Sequence, residues 1–347
     1  MRTRKRLGQA ALAMLACGPL SLAYAAELVT NGGFEQNAGA ASQAFTGWQA
    51  VSQPGSQGGF YAQSGTQSAV TPTTVPAPPQ GSFAAMSDQP GPGSHVLYQD
   101  IAIPAGKSAS LTALVYVQNA APLAAAPATL DFQTQPNQQA RIDIMDPAAA
   151  WNDVGGGVLA NVFQWPGASG PSSFAGYQSI QFDMTPYAGR TVRLRLAEVD
   201  NRQSLFFAAD TVSLISSDVA PPAGVGGDRQ GDSVTLDFPP VASTPTETVT
   251  GYQAQCVPVG GGSTVTASAP QPPITVTGLL PGVSYVCTVQ AQTTVGAGPS
   301  STPITVGAAA RRVPAWSHTS TLLATLAILA AWAFRLRRNA PRGRQRL

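Results

Sequence analysis

Between about residue 27 and residue 307, short runs of alternating apolar and polar positions recur, separated by Gly, Pro, Ser, Asn and Asp. Ile180–Met184 reads Ile-Gln-Phe-Asp-Met, Val192–Leu196 reads Val-Arg-Leu-Arg-Leu, and Arg141–Ile144 reads Arg-Ile-Asp-Ile. A period of two is that of an antiparallel strand with one face on a core, and helical periodicity is nearly absent here. The expected class is therefore all-β. About 285 residues are long for one core and natural for two domains. The Pro/Gly stretch Asp218–Gly224 reads as a linker (218–224) between a first domain at 27–217 and a second at 225–307. Pro- and Ala-rich stretches at 71–81 and 120–137 are expected to be long loops rather than extra core.

The two ends break this pattern. Arg2, Arg4, Lys5 and Arg6 precede a mostly apolar stretch, and Ala23-Tyr24-Ala25 forms a small-x-small site. Residues 1–26 thus read as an export signal peptide, with the mature chain starting at Ala26 or Glu27. The alternative is a lipoprotein signal cut before Cys17. Near the other end, Leu322–Phe334 is thirteen residues without a charge. Extended back to Trp316 it spans about 28 Å, enough for a bilayer core of about 30 Å. A single transmembrane helix at about 316–334 is expected. Six arginines in the last thirteen residues place the C-terminus in the cytoplasm by the positive-inside bias and argue against a buried soluble helix.

Charge and cysteine usage fit this topology. The whole chain is formally +2, but residues 26–310 hold seven basic residues against all seventeen acidic ones, a net of −10. An acidic exported body argues against nucleic acid, whose affinity rests on neutralising phosphates. Cys256 and Cys287 are the two cysteines outside the signal, and an even pair in an oxidising compartment reads as a disulfide, with two free buried thiols as the alternative. His95 is the body's one histidine, so a thiolate–imidazole metal site is not expected.

Candidate chemistry is sparse. Sugar binding uses aromatic faces beside polar groups. Trp151 and Trp165, which flank Gly155–Gly157, and Phe60 and Tyr61, which follow Gly58-Gly59, are the candidates; core or loop packing is the rival role for each. No zinc-protease, nucleophile-elbow, redox-dithiol or phosphate-loop motif occurs. Gly231-Asp232-Ser233 mimics a hydrolase block but sits where a turn explains it. His95 has no evident nucleophile partner. Asp143 and Asp146 suggest a glycosidase carboxyl pair, yet Asp143 is more simply read as ending a strand at the Asp146-Pro147 turn. No catalytic activity is expected.

Three resemblances add to this reading. Residues 221–307 resemble a fibronectin type III domain. Val234–Phe238 matches strand B and Tyr252–Cys256 strand C. Leu279–Tyr285 matches the E–F corner, where a tyrosine hydroxyl bonds back to the backbone, and Gly296–Ser300 the F–G turn. That layout implies Cys256 on strand C and Cys287 on strand F, neighbours in one sheet. Leu28–Glu35 with Thr46–Trp48, and Phe206–Leu214, resemble the first and last strands of galactose-binding-like jelly rolls related to carbohydrate-binding modules. Ser94–Gln99 and Pro104–Gly106 fit an internal strand and turn. That resemblance implies a jelly-roll β-sandwich before the immunoglobulin-like one, and a structural calcium near Glu35 and Asp210; two solvated or hydrogen-bonded carboxylates are the alternative. Finally, Val313-Pro314-Ala-Trp-Ser-His, the apolar helix and the arginines resemble PEP-CTERM and IPTL-CTERM sorting signals. They imply a tail (308–347) processed near Val313-Pro314 by a membrane-embedded sorting peptidase. The functional expectation is a non-catalytic exported protein, anchored in the inner membrane before processing and at the cell surface or extracellular after it. It would bind glycan or matrix polymer through the first domain, with the second as spacer. A display protein meeting protein partners and a secreted hydrolase with an unrecognised site are the alternatives.

Overall fold

The computed structural model describes residues 25–309 except 123, 168–172 and 295. Most of the signal, the Val313-Pro314 motif and the span at 316–334 lie outside these residues. Among the described residues no helix is long and apolar enough to cross a membrane.

The first half of the chain contributes β1 (Ala26–Glu27), β2 (Gln49–Ser52), β3 (Gly59–Gln63), β4 (Ala84–Asp88), β5 (Gly93–Ala102), β6 (Ser108–Asn119), β7 (Gln138–Met145), β8 (Val158–Trp165), β9 (Gln178–Asp183), β10 (Thr191–Asp200) and β11 (Leu205–Ser217). They form two antiparallel sheets packed as a sandwich. One has the order β3-β4-β11-β6-β9, with β1 added on β11; the other has the order β2-β5-β10-β7-β8. The alternation seen in the sequence builds the core: Leu97, Leu111, Ile142, Leu194, Leu196 and Phe207 point between the sheets.

The loops expected to lie outside the core carry part of it. Val75, from the 71–81 stretch, packs with Met86, Leu114, Tyr116 and Phe206 on the outer face of the six-stranded sheet. Leu130 and Phe132, from the 120–137 stretch, pack with Val96, Ala197 and Val199 on the outer face of the other. Each loop therefore buries a face that the bare sheet would expose. β11 is interrupted by a register shift between Asp210 and Ser213, where Thr211 has φ +50° and the Val212 amide donates to the Gly32 carbonyl at 2.9 Å. A Cβ on Gly32 would lie 1.7 Å from the Val212 carbonyl oxygen, so only glycine permits this contact.

The second sandwich consists of β12 (Gly226–Gln230), β13 (Ser233–Asp237), β14 (Val249–Pro258), β15 (Val265–Ala269), β16 (Ile274–Thr277), β17 (Tyr285–Thr293), β18 (Gly296–Ser300) and β19 (Ile304–Val306). A β12-β13-β16 sheet faces a β15-β14-β17-β18 sheet, with β19 also on β17. Between them lie Val234, Leu236, Phe238, Tyr252, Ile274, Tyr285 and Val289. The expected tyrosine corner forms: the Leu280 amide donates to the Tyr285 hydroxyl at 3.0 Å. Gly231-Asp232 is the β12–β13 hairpin turn, with Gly231 at φ +64°. Gly296–Ser300 is not the expected turn but strand β18, because its backbone pairs with β17. Cys256 and Cys287 lie directly opposite on β14 and β17 and are disulfide-bonded.

The linker is not a free hinge. Val219 is fully buried. The Glu247 carboxylate accepts from the Ser217 hydroxyl and the Asp218 amide, while the Asp218 carboxylate pairs with Lys107 and accepts from Thr246. Across the junction the Ser300 amide donates to Ser110 at 3.1 Å, Gln181 donates to the Ser300 carbonyl at 2.8 Å, and Val257 enters the apolar cluster on the six-stranded sheet.

The disulfide spans 31 residues, for which the chain-entropy model gives about 3 kcal/mol. Replacing both cysteines by alanine is expected to lower the unfolding free energy of the second sandwich by an amount of that order, and its denaturant midpoint with it. Chemical unfolding followed with a probe in that sandwich measures it; an unchanged midpoint would remove the disulfide from its stability.

Candidate functional site

On β10 the residues between the core leucines, Arg193 and Arg195, point to the outer face of the five-stranded sheet. They sit in register with Asp100 and Tyr98 of β5 and with Met145 and Asp143 of β7. Asp143 is fully buried. Its carboxylate accepts from Arg141 at 2.7 and 2.8 Å, from Arg195 at 2.6 and 3.2 Å and from Asn161 at 2.8 Å. Burial pulls the Arg195 guanidinium below its ordinary pKa, and Asp143 opposes that shift. The rest of the Arg195 fork reaches a strap running from Asp146 to Gly157, donating to the carbonyls of Trp151 at 2.6 Å and Asp153 at 2.7 Å. Asp153 organises the strap: the Gly155 and Gly157 amides donate to it and hold its carboxyl below the usual range.

This arrangement positions Trp151. The ring is half-buried and packs, with Tyr98 and Val154, against the cluster of Leu130, Phe132 and Val199. Arg193 lies over the Tyr98 ring at 4.1 Å and binds Asp100 through two bonds of 2.6 and 2.9 Å. The surface so formed offers two half-exposed aromatic rings, a guanidinium and a carboxylate, a combination suited to packing and hydrogen-bonding a sugar.

The other aromatic candidates do not join it. Trp165 is 1% and Phe60 2% exposed. Both are core rings, Phe60 edge-on to Phe207 at 6.2 Å, and neither presents a face to a ligand. Tyr61, next along β3, is half-buried and points to the opposite side of its sheet from Phe60. Tyr98, by contrast, was missed. Its position in the alternating run Val96–Asp100, outward like Arg193 and Arg195, was the signal that could have found it.

Glu35 and Asp210 both meet the short segment before β4. The Ser82 and Phe83 amides donate to one Glu35 oxygen at 2.9 Å each. The Gln80 and Thr211 amides donate to the two oxygens of Asp210 at 3.2 and 2.6 Å. Burial pushes the Asp210 carboxyl up to about 7 against these amides, and the charge of Glu35 adds to the rise. Among the described residues neither carboxylate has a basic partner. In kind the donors suit a hard divalent cation. In number they fall short of a side-chain cage, since no group of three or more His, Cys, Asp or Glu assembles among the described residues.

The catalytic alternatives find little geometry. Asp143 does not end a strand: it lies inside β7, locked between two arginines, while Asp146 is exposed and accepts from the Ala148 amide. They do not face each other across a cleft. His95 does have a hydroxyl partner, with Nδ1 2.8 Å from the Ser52 oxygen and Nε2 3.1 Å from the Gln57 carbonyl. Burial, partly offset by the Gln57 carbonyl, lowers its pKa to about 4, which makes it a weak base. Opposite His95 on β10 is Glu198, whose carboxyl burial raises well above the usual range, the nearby Asp200 adding to the rise. Asp200 itself is pushed up to about 7 by burial and accepts from the Gly93 and Leu205 amides, closing the β10–β11 turn. Beside it opens a cavity of about 420 Å³ lined by Gln89, Pro92, Asp200 and Arg202.

Residues 220–307 match the fibronectin type III domain family. No curated protein matches the chain. Among solved structures, the K3 cleaved adhesin domain of Lys-gingipain from Porphyromonas gingivalis is similar at 12% identity, covering 56% of this chain and 99% of that one with a TM-score of 0.33. A Stig cyclase from Fischerella is similar at 17% identity, covering 56% and 98% with a TM-score of 0.35. The sixth fibronectin type III domain of human fibronectin type III domain containing protein 3 is similar at 25% identity, covering 28% and 93% with a TM-score of 0.25.

Asp200 and Asp210 hold their protons more tightly folded than unfolded. Between the ordinary carboxyl pKa and about 7, the folded state keeps protons that the unfolded chain has released. Stability is then fullest below pH 4 as far as these groups are concerned, and falls as pH rises towards and through 7. Thermal melts of the chelator-treated protein between pH 5 and pH 8 should show Tm falling with pH, and Asp200→Asn should flatten the slope. A Tm rising over this range would contradict the assignment.

Proposed function

We propose that the chain is a non-catalytic exported surface protein whose first domain, a galactose-binding-like jelly roll, binds glycan or matrix polymer. The fibronectin type III domain, packed against it rather than strung out as a stalk, sets how that domain is displayed. The observation that carries the reading is the fixed, half-exposed Trp151 beside Tyr98 and the Arg193–Asp100 pair. A ring held by its own backbone carbonyl on a buried arginine binds with little ordering cost. Export by the N-terminal signal and membrane retention until a sorting peptidase acts at Val313-Pro314 belong to the same proposal. A glycan array probed with the purified protein should give hits on polymers with free pyranose faces. Trp151→Ala should weaken them at least tenfold while circular dichroism shows the β-sandwich fold retained, whereas an array without hits would remove the glycan reading.

A structural calcium held by Glu35 and Asp210 is part of the proposal. The ion would supply positive charge between two carboxylates that lack it and join the N-terminal loop to β11. A ligand bound by the folded state alone raises stability by mass action. Chelation is therefore expected to lower Tm, and Asp210→Ala to abolish the difference between calcium and chelator. Coincident melts of the unmodified protein in the two conditions would leave the carboxylates to their amide donors.

A further inference from the structure

The outer face of β6, β9 and β11 and the outward residues of β14 and β17 look at each other across the junction between the two sandwiches. They touch at one end, through Ser300 with Ser110 and Gln181 and through Val257 with the cluster of Leu114 and Tyr116. Beyond these contacts two adjoining cavities of about 400 and 730 Å³ remain, which share Pro79, Leu114, Val257 and Thr264 in their walls. Among the described residues no charged side chain lines either one. Thr112 and Ser179 stand on the wall of the first sandwich, and Gln255, Thr288 and Gln290 on that of the second. At the far end is Tyr177, 5% exposed, which lines the larger cavity and whose hydroxyl has no hydrogen-bond partner.

We infer that this inter-domain cleft is a second binding site, one for a segment of uncharged, polyhydroxylated polymer. An uncharged lining excludes polyanions, because a phosphate or uronate chain would be desolvated without a counter-charge. What the walls offer is a dense set of hydroxyls and carboxamides, each able to donate and accept, which matches the hydroxyls of a neutral glycan. The volumes lie within the range of sites that enclose ligands.

The inference rests on the glycan reading above but places its site on the opposite face of the first sandwich from Trp151. One chain would thus hold two polymer strands at once, an activity of bridging rather than simple attachment.

Titration calorimetry of the whole protein with cellohexaose, laminarihexaose and maltohexaose tests it. Binding of at least one hexaose to two sites is expected. Gln255→Ala combined with Thr288→Ala, both on the surface of the second sandwich, should remove one site or weaken it at least tenfold, with the melting curve unchanged. Trp151→Ala should remove only the other. If the cleft variants titrate like the unmodified protein while Trp151→Ala abolishes binding, the cleft inference is overturned and the glycan reading stands. If no hexaose binds, the cleft inference falls, and the glycan array alone decides the glycan reading.

Discussion

The outer face of the five-stranded sheet is organised by the removal of one carboxylate, Asp143, from water. An unpaired buried charge would cost several kcal/mol, and breaking an established buried pair costs about 3–5 kcal/mol. Asp143 is therefore enclosed by Arg141, Arg195 and Asn161, and Arg195 is tied by its remaining donors to the strap. The sequence Val-Arg-Leu-Arg-Leu thus serves two layers. Its leucines fill the space between the sheets, and its arginines fasten a loop over the back. Without the second layer Trp151 would ride on a free Gly-rich loop and a ligand would have to order it.

The same logic of covered faces applies to the six-stranded sheet, with a different cover. There the 71–81 loop takes one part and the second sandwich another. Glu247, itself fully buried, reaches back to Ser217 and Asp218 at the end of β11. The last strand of one domain thereby fixes the approach of the next. The cover is incomplete because the facing side chains are threonine, serine and glutamine. Such groups meet through selected hydrogen bonds rather than by close apolar packing, as Gln181 does with the Ser300 carbonyl and Ser110 with the Ser300 amide.

Much of the fold was legible in the sequence. Period-two runs became β7, β9 and β10, the resemblance to a fibronectin type III domain located β13, β14 and the tyrosine corner, and Cys256 and Cys287 met as neighbours. What misled was the assumption that the polar half of an alternating strand faces water. Asp143 read as ending a strand and lies buried inside β7, and Arg195 is buried with it, because the strap that follows β7 supplies the Trp151 and Asp153 carbonyls. Phe60 and Trp165 were candidates because glycines or loop-like sequence surround them, and the rival role of core packing is the one they take. Burial depends instead on which face of a strand points inward, and their register turns them to the core. The stretch Asp218–Gly224 read as a linker by composition alone, whereas Val219 and Asp218 have partners on both sides.

Charge points to the kind of partner more firmly than any single residue does. The body carries −10 by sequence, yet little of that charge is free at the places where a ligand could sit. Asp143 and Asp100 are neutralised by arginines. Burial holds Glu198 towards its neutral form and brings Asp200 and Asp210 to about 7. The cavities between the sandwiches have no charged lining at all. A protein that steers charged ligands concentrates one sign of charge around its clefts; here hydroxyls and carboxamides line the cavities between the sandwiches, the aromatic face carries a compensated ion pair, and Asp200 and Arg202 line the cavity at the β10–β11 turn. Catalysis by a carboxyl pair needs groups that exchange protons with a bound substrate at an accessible position. Glu198 is sealed, Asp200 is committed to two backbone amides, and neither belongs to the aromatic face or to the cleft. Asp200 does line the cavity beside Gln89 and Arg202, but both its oxygens are taken by the Gly93 and Leu205 amides.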